Sequence, residues 1–259
     1  MKKKLSYLFT SSKKLETDQL IFKKTVISFT VFFVMFFAAF MGWRWLRHLP
    51  TDRNGVNAPV RAALNTNESI FSKFLSDNHL AKEYPENLAV STARANGNWG
   101  LHSALDSASW MMHVIRTNGD TLNITIDDLK KLPKTEVIFN FKCIEGWSQI
   151  THWGGVKFSE FIRAYGLEKE ASLKYIGLST PDKQYYVGID MPSAMHPQTL
   201  LCYELNNKPL PLEQGYPLRL IIPVKYGVKH LKRIGTLIFS NERPPDYWFN
   251  RGYDYFTGL

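Results

Sequence analysis

The strongest pattern in the chain is an apolar run near its start. Residues 25–43 read TVISFTVFFVMFFAAFMGW, 19 positions without a charge. Continued to Leu46 the run has 22 residues. At about 1.5 Å of rise per residue, a helix of that length crosses a hydrocarbon layer of about 30 Å. The run exceeds the roughly 7–15 apolar residues of a signal peptide, and no small-x-small cleavage site follows it. An uncleaved transmembrane helix over 25–46 is therefore expected, with Trp43 and Trp45 at an interface.

Beyond this run the polarity alternates on shorter scales. Residues 47–92 are mixed and polar, with Pro50, Asn54-Gly55 and Pro59, which predicts a linker leading into a helix around 68–78. Residues 110–126 alternate in strand fashion about the turn Asn118-Gly119-Asp120, and Thr125 can cap a short helix over 126–132 that Pro133 stops. A β-rich run at 136–141 ends at Cys143. Gly154-Gly155 lead into the helical spacing Phe158, Phe161, Ile162, Tyr165, closed by Gly166. Strand-like runs follow at 173–178, 185–189, 218–222 and 234–239. Strands mixed with short helices, without a βαβ rhythm, predict an α+β fold. Four segments result: a basic lead at 1–24, the transmembrane helix at 25–46, a linker and helical lead-in at 47–92, and a domain over 93–259.

Charge adds orientation. The net charge is +9, and it sits at one end: seven Lys against Glu16 and Asp18 in residues 1–24, then four Arg against Asp52 in residues 25–61. That leaves +1 for the rest, a near-neutral body with no broad phosphate-binding face, so nucleic acid is excluded as a partner. The lysines before the span outnumber the arginines after it, which predicts a cytoplasmic N-terminus and a periplasmic body. A hydrophobic content of 44% excludes disorder for most of the chain. Two cysteines exclude a disulfide framework and a four-thiolate zinc site.

Two stretches carry candidate chemistry. In FKCIEGWS, Cys143 is either a small buried hydrophobe at a strand end or a thiolate, supported by Lys142 or by a soft metal. Cys202, in LLCYEL with no cation beside it in sequence, reads as core, and a Cys143–Cys202 disulfide stays open. The stretch PLRLIIPVKYGVKHLKR places Arg219, Lys225, Lys229, His230, Lys232 and Arg233 within fifteen residues. It is either a solvated basic edge or, with the bend at Tyr226-Gly227, a phosphate-binding loop. The histidines at 79, 102, 113, 152, 196 and 230 lack HxxxH or HxH spacing, so no zinc site is expected. Trp147, Trp153, Tyr186 and Trp248 are candidates either for a substrate mouth or for the core.

Taken in order, FKCIEGWS, WGGVKFSEFI, SAMHPQTLLCYELNNKPLPLEQGYPLRLIIPVKYGVKHLKRI and NERPPDYW resemble the molybdopterin-dependent oxidoreductases of the sulfite oxidase family over residues 93–248. Within that family the likeness is to the catalytic subunits of bacterial protein-methionine-sulfoxide reductases, through AMHP, PLR, PVKYG and ERPP. The resemblance implies a sulfite-oxidase-type domain of mixed sheets with short helices, binding Mo-molybdopterin. Cys143 matches the molybdenum-binding cysteine, with Glu145 as its catalytic neighbour. Asn96, Trp99 and Gly100 fall in a cofactor loop, and Thr180 matches a pterin-contacting threonine. Arg219 matches a cofactor-contacting arginine, and Gln214 replaces an asparagine while keeping an amide that can donate. His230, Leu231 and Lys232 match the segment that holds the pterin phosphate. Against the family pattern, Lys23-Lys24 stand where a twin-arginine signal is sought, and neither a dimerisation domain nor a haem domain is expected.

The resemblance thus implies a membrane-anchored molybdenum oxidoreductase that transfers an oxygen atom as the metal cycles between Mo(VI) and Mo(IV). Sulfoxide reduction is the first candidate reaction, on a small-molecule or protein sulfoxide, with a haem- or quinone-linked electron partner in the membrane. Two alternatives stand beside it: a catalytically silent membrane-anchored binding module of the same fold, and a thiol enzyme with Cys143 as nucleophile and His152 as base.

Overall fold

The computed structural model describes residues 16–102 and 109–258. Most of the basic lead lies outside them. The chain divides into two compact units, meeting between Pro59 and Val60.

In the first unit, helix α1 (Thr17–Arg47) contains the whole apolar run, with no residue buried. It is long and apolar enough to cross a membrane. It begins ahead of the apolar residues because Asp18 sits in its first turn, and Arg44 and Arg47 in its last, each complementing the helix dipole. The polar stretch after it is a tight turn. Asp52 Oδ1 accepts from the backbone N–H of Asn54 and Val56, both at 2.9 Å, with Gly55 at φ +80°.

Helix α2 (Ala58–Phe71) lies mostly ahead of the expected 68–78 helix and overlaps it only over 68–71. Pro59 is the reason: in the first turn of a helix its missing N–H loses no bond and its φ is already helical, so it starts the helix rather than marking a linker.

The second unit is built on two five-stranded sheets. Strands β1 (Met112–Ile115) and β2 (Thr121–Ile124) form the expected hairpin, and α3 (Ile126–Lys130) follows behind a capping box between Thr125 and Asp128. Strands β3 (Lys134–Lys142) and β4 (Ser148–Lys157) form a long antiparallel hairpin. Helices α4 (Phe158–Ala164) and α5 (Glu168–Ala171) lead to β5 (Tyr175–Ser179) and β6 (Tyr186–Asp190). After α6 (Met191–Ala194) come β7 (Leu200–Leu205), β8 (Lys208–Pro209), β9 (Arg219–Ile221) and β10 (Thr236–Ser240). The first sheet has the order β2-β1-β10-β5-β6, with β1 parallel to β10 and its other pairs antiparallel. The second has the order β3-β4-β7-β8, with β9 also on β7. This is the α+β arrangement of mixed sheets and short helices.

Strands β4, β7 and the short β8 escaped the sequence pattern. β4 runs through Gly154-Gly155, which the sequence shows only as the lead-in to a helix. A Cβ on Gly155 would lie 2.2 Å from the Leu201 carbonyl oxygen, so glycine here answers a close backbone approach at a bulge against β7. β7 shows no alternation because both of its faces are covered: Leu201 and Tyr203 enter one core cluster, Leu200 and Cys202 the other. The second cluster, with Val137, Phe139, Phe141 and Trp153, carries the candidate site.

Candidate active site

Cys143 ends the β3–β4 hairpin. Its N–H donates to the Trp147 carbonyl at 2.9 Å, and the Gly146 N–H donates back to the Cys143 carbonyl at 3.0 Å. Gly146 supplies the left-handed φ of +91° that this turn requires. The basic loop lies against this hairpin, because a Cβ on Gly227 would sit 2.6 Å from the Phe141 ring. Cys143 and the loop therefore wall one cavity of about 310 Å³, together with Arg94, Asn96, Trp99, Glu145, Trp147 and Tyr185.

Strand β9 delivers Arg219 to this cavity in an unusual state. The residue is 2% exposed, with Nη1 donating to Gln214 O at 3.1 Å and to Gln214 Oε1 at 2.7 Å. The guanidinium lies 4.6 Å over the Trp153 ring, and Nε has no partner among the described residues. Burial lowers its pKa to about 10, so a cation without a carboxylate is held at the cavity wall. Lys232 is the second cation. Its Nζ donates to the carbonyls of Asn96 at 3.0 Å and Gly97 at 2.9 Å, and burial, then Arg219, lowers its pKa to about 7.

His230 is neutral. Burial, then the Arg219 charge, pushes its pKa down to about 3. Its Nε2 donates to Ile222 O at 2.8 Å, and its buried Nδ1 has no partner among the described residues. Tyr185 donates its hydroxyl to Val228 O at 2.8 Å, and burial pushes its pKa well above the ordinary phenol value. The rim carries Glu145, whose Oε2 accepts from the Trp147 indole at 3.3 Å, and Arg94, 4.7 Å over the Trp147 ring.

A family model described as "Oxidoreductase molybdopterin binding domain" matches residues 100–248. The chain belongs to this family. It is an oxidoreductase, and its cofactor is molybdenum-molybdopterin. It is 34% identical over 210 residues to a putative protein-methionine-sulfoxide reductase subunit, YedZ1, of Azospira oryzae, spanning 80% of this chain and 79% of that protein. Against the catalytic subunit MsrP of Campylobacter jejuni it is 30% identical over 67% of this chain and 63% of the relative. Against MsrP of Ralstonia nicotianae it is 38% identical over 48% and 41%. The chain thus spans well under two thirds of some of the relatives it matches. A solved structure, the sulfane dehydrogenase SoxCD of Paracoccus pantotrophus, is similar at TM-score 0.49 and 19% identity, covering 54% of this chain and 40% of that one.

The cavity suits the family's cofactor chemically. A soft sulfur donor, two cations without carboxylate partners and unpaired polar atoms on Arg219 and His230 converge on one space, which is what an anionic group carrying a thiophilic metal requires. Of the residues that the sequence proposed, Cys143, Glu145, Asn96, Trp99, Gln214, Arg219, His230 and Lys232 line the cavity. Gly100, Thr180 and Leu231 do not. Gly100 packs on Thr180, where a Cβ would lie 2.3 Å from its methyl carbon, Thr180 donates to Asp182 at 2.6 Å, and Leu231 is fully buried in the core.

Several expectations are corrected here. One Gln214 amide N–H goes to the Ala93 carbonyl at 3.0 Å, so this side chain orients Arg219 rather than presenting that donor to the cavity. The basic stretch does not act as one patch. Lys225 is buried against Asp190 at 3.0 Å and Lys229 against Asp246 at 2.5 Å, while Arg233 donates to Tyr216 O at 3.2 Å. Cys202 is core, as expected, yet it does have a cationic neighbour, because strand register pairs it with Arg219; burial still pushes its thiol up to about 12. Both cysteines are free thiols. His152 is held by Glu136 at 3.0 Å and does not line the cavity, which removes it as a base for Cys143. Trp153 is buried, whereas Trp147 and Trp248 reach the cavity. Arg94, Tyr185 and Tyr253 line it without having been anticipated, and no local motif marks them.

Proposed function

We propose that the chain reduces sulfoxides, with methionine sulfoxide in proteins as the substrate class. The observation that carries this reading is the Cys143 thiol and the Arg219–Lys232 cation pair on one cavity whose rim is aromatic and open, with Trp99 49% exposed and Tyr253 39%. Aromatic edges favour a thioether-like sulfur, and a rim exposed to this degree admits a side chain presented by another polypeptide. The names of the relatives from Azospira oryzae and Campylobacter jejuni point the same way.

When bound, the cofactor supplies the two-electron couple that turns a sulfoxide, with two protons, into a thioether and water. The roles of this chain follow from position. The Cys143 thiolate holds the metal, and Arg219 and Lys232 neutralise the pterin phosphate. His230, neutral throughout the physiological range, offers its unpartnered Nδ1 as an acceptor to the bound cofactor. Tyr185 stays a protonated phenol and walls the cavity. Glu145 stands at the open side with Asn96 and is the carboxyl group through which protons enter. The α1 helix anchors the chain in a membrane with the catalytic unit on the periplasmic side, and a haem- or quinone-linked membrane protein delivers the electrons.

The test is elemental analysis for molybdenum and pterin fluorescence on detergent-purified protein, followed by reduction of methionine sulfoxide in an oxidised protein with a reduced dye as donor. About one metal and one pterin per chain with turnover supports the reading. Cofactor without turnover on any sulfoxide overturns the substrate class, and well-folded protein without cofactor favours the silent module.

A further inference from the structure

Trp248 and Tyr253 project into the mouth of the cavity from one short segment near the end of the chain. That segment is a 3-10 turn over Phe249–Arg251, closed by the Gly252 N–H on Phe249 O at 3.1 Å and the Tyr253 N–H on Trp248 O at 3.1 Å. Backbone bonds this local do not fix where a turn sits. Asp246, tied to the basic loop, and Arg61, on α2, hold it from either side.

From the cofactor side, Asp246 Oδ1 accepts from the N–H of Trp248 at 3.1 Å and of Phe249 at 2.9 Å, and its Oδ2 accepts from Lys229 of the basic loop at 2.5 Å. From the other side comes Arg61 of α2. It is only 8% exposed, donates Nη2 to Phe249 O at 2.8 Å and Nη1 to Tyr253 O at 3.2 Å, and stacks its guanidinium 3.8 Å over the Phe249 ring. The planar fork spans the turn, gripping carbonyls four residues apart, one on the residue after Trp248 and the other on Tyr253 itself. A lysine lacks the planar fork that meets both carbonyls while its flat face lies on the Phe249 ring. Glu68, two helical turns along α2, makes a second attachment through Arg243 at 2.5 Å.

We propose that Arg61 is a positioning residue for substrate: it fixes the turn that aims Trp248 and Tyr253 at the cavity mouth, and so sets affinity for the sulfoxide side chain without touching the cofactor. The proposal rests on the reading of this cavity as a sulfoxide-reducing site.

The experiment compares Arg61→Ala and Arg61→Lys with the wild type, each as the full cofactor-loaded chain. In Arg61→Ala the KM for an oxidised-methionine substrate rises about tenfold, the loss expected when a charged hydrogen-bond donor leaves, while kcat and molybdenum content hold. Hydrogen exchange at the Gly252 and Tyr253 amides quickens by a similar factor, and Arg61→Lys restores part of both. Unchanged exchange and unchanged KM would overturn the proposal, as would loss of molybdenum in parallel with activity. If Arg61→Ala does not fold, Phe249→Leu removes the stacking face alone and is read the same way. If the wild type itself reduces no sulfoxide, the substrate reading fails, and exchange at Gly252 and Tyr253 still decides whether Arg61 holds the turn.

Discussion

Gln214 accepts two hydrogen bonds from one nitrogen of Arg219, through its side-chain oxygen at 2.7 Å and its backbone oxygen at 3.1 Å. A buried guanidinium with no carboxylate nearby is thus held by neutral acceptors, which orient it while leaving its charge uncancelled for a ligand anion. Gln214→Glu would place a carboxylate where the amide oxygen now sits and neutralise that charge. We expect pterin retention in Gln214→Glu to fall more than in Gln214→Ala, where removal of one charged hydrogen bond lowers it about tenfold. Molybdenum and pterin per chain after gel filtration measure both; equal retention in the two variants would argue against an anion beside Arg219.

The two cysteines should separate cleanly. Cys143 walls the cavity, whereas Cys202 is fully buried with its thiol pushed up to about 12. Iodoacetamide on folded, cofactor-free protein is expected to modify Cys143 and spare Cys202, read by peptide mass spectrometry. Cys143→Ser should abolish turnover while the pterin stays bound, and Cys202→Ala should lower stability by about 1–2 kcal/mol with activity per folded chain retained. Full activity in Cys143→Ser would sink the metal-ligand role.

What could be read in advance depended on how local the cause was. The β1–β2 hairpin, the Thr125 cap and the end of β3 at Cys143 are set by neighbours in sequence and were legible. β4 was not, because the reason for Gly155 is the backbone of Leu201, distant in sequence. Lys225 and Lys229 looked like part of a phosphate patch because their acids, Asp190 and Asp246, lie 35 and 17 residues away and only the fold brings them near. The cofactor motifs survive such distances because their spacing is itself a pattern. Arg94, Tyr185 and Tyr253, single cavity residues of three separate segments, carry no such pattern.

Lys232 predicts a pH dependence. In cofactor-free protein its pKa is lowered to about 7 by burial and by Arg219, below the ordinary lysine value of the unfolded chain. Between about pH 7 and 10 the unfolded chain then binds more protons, so this group makes stability rise with pH across that window, and the contribution is lost as pH falls through 7. Anion binding runs the opposite way, since only the protonated amine attracts an anion. Sulfate, which does not titrate in this range, should bind cofactor-free protein up to tenfold more weakly for each pH unit above 7. Isothermal titration at pH 6, 7, 8 and 9 tests this. Lys232→Arg, charged throughout, should flatten the profile, and a flat wild-type profile would exclude Lys232 from the anion site.

The buried pair Lys229–Asp246 should respond asymmetrically to loss of either partner. Both side chains are nearly inaccessible, 2% and 3% exposed. Beyond Lys229, Asp246 accepts from the backbone N–H of Gly188 at 3.2 Å, Trp248 at 3.1 Å and Phe249 at 2.9 Å. Lys229 has one other acceptor, Gly188 O at 3.1 Å, and faces the Tyr255 ring. In Lys229→Met the carboxylate keeps three backbone donors, and the loss should be about 1.5–3 kcal/mol, the range for a hydrogen bond to a charged group. Asp246→Leu strands a buried ammonium and three N–H groups together, for which about 3–5 kcal/mol is expected. Urea unfolding of the cofactor-free chain distinguishes the two. Because Asp246 also sets the turn bearing Trp248, its loss should raise KM as well as lower stability. Equal destabilisation by the two substitutions would mean that the backbone donors contribute nothing to holding this carboxylate.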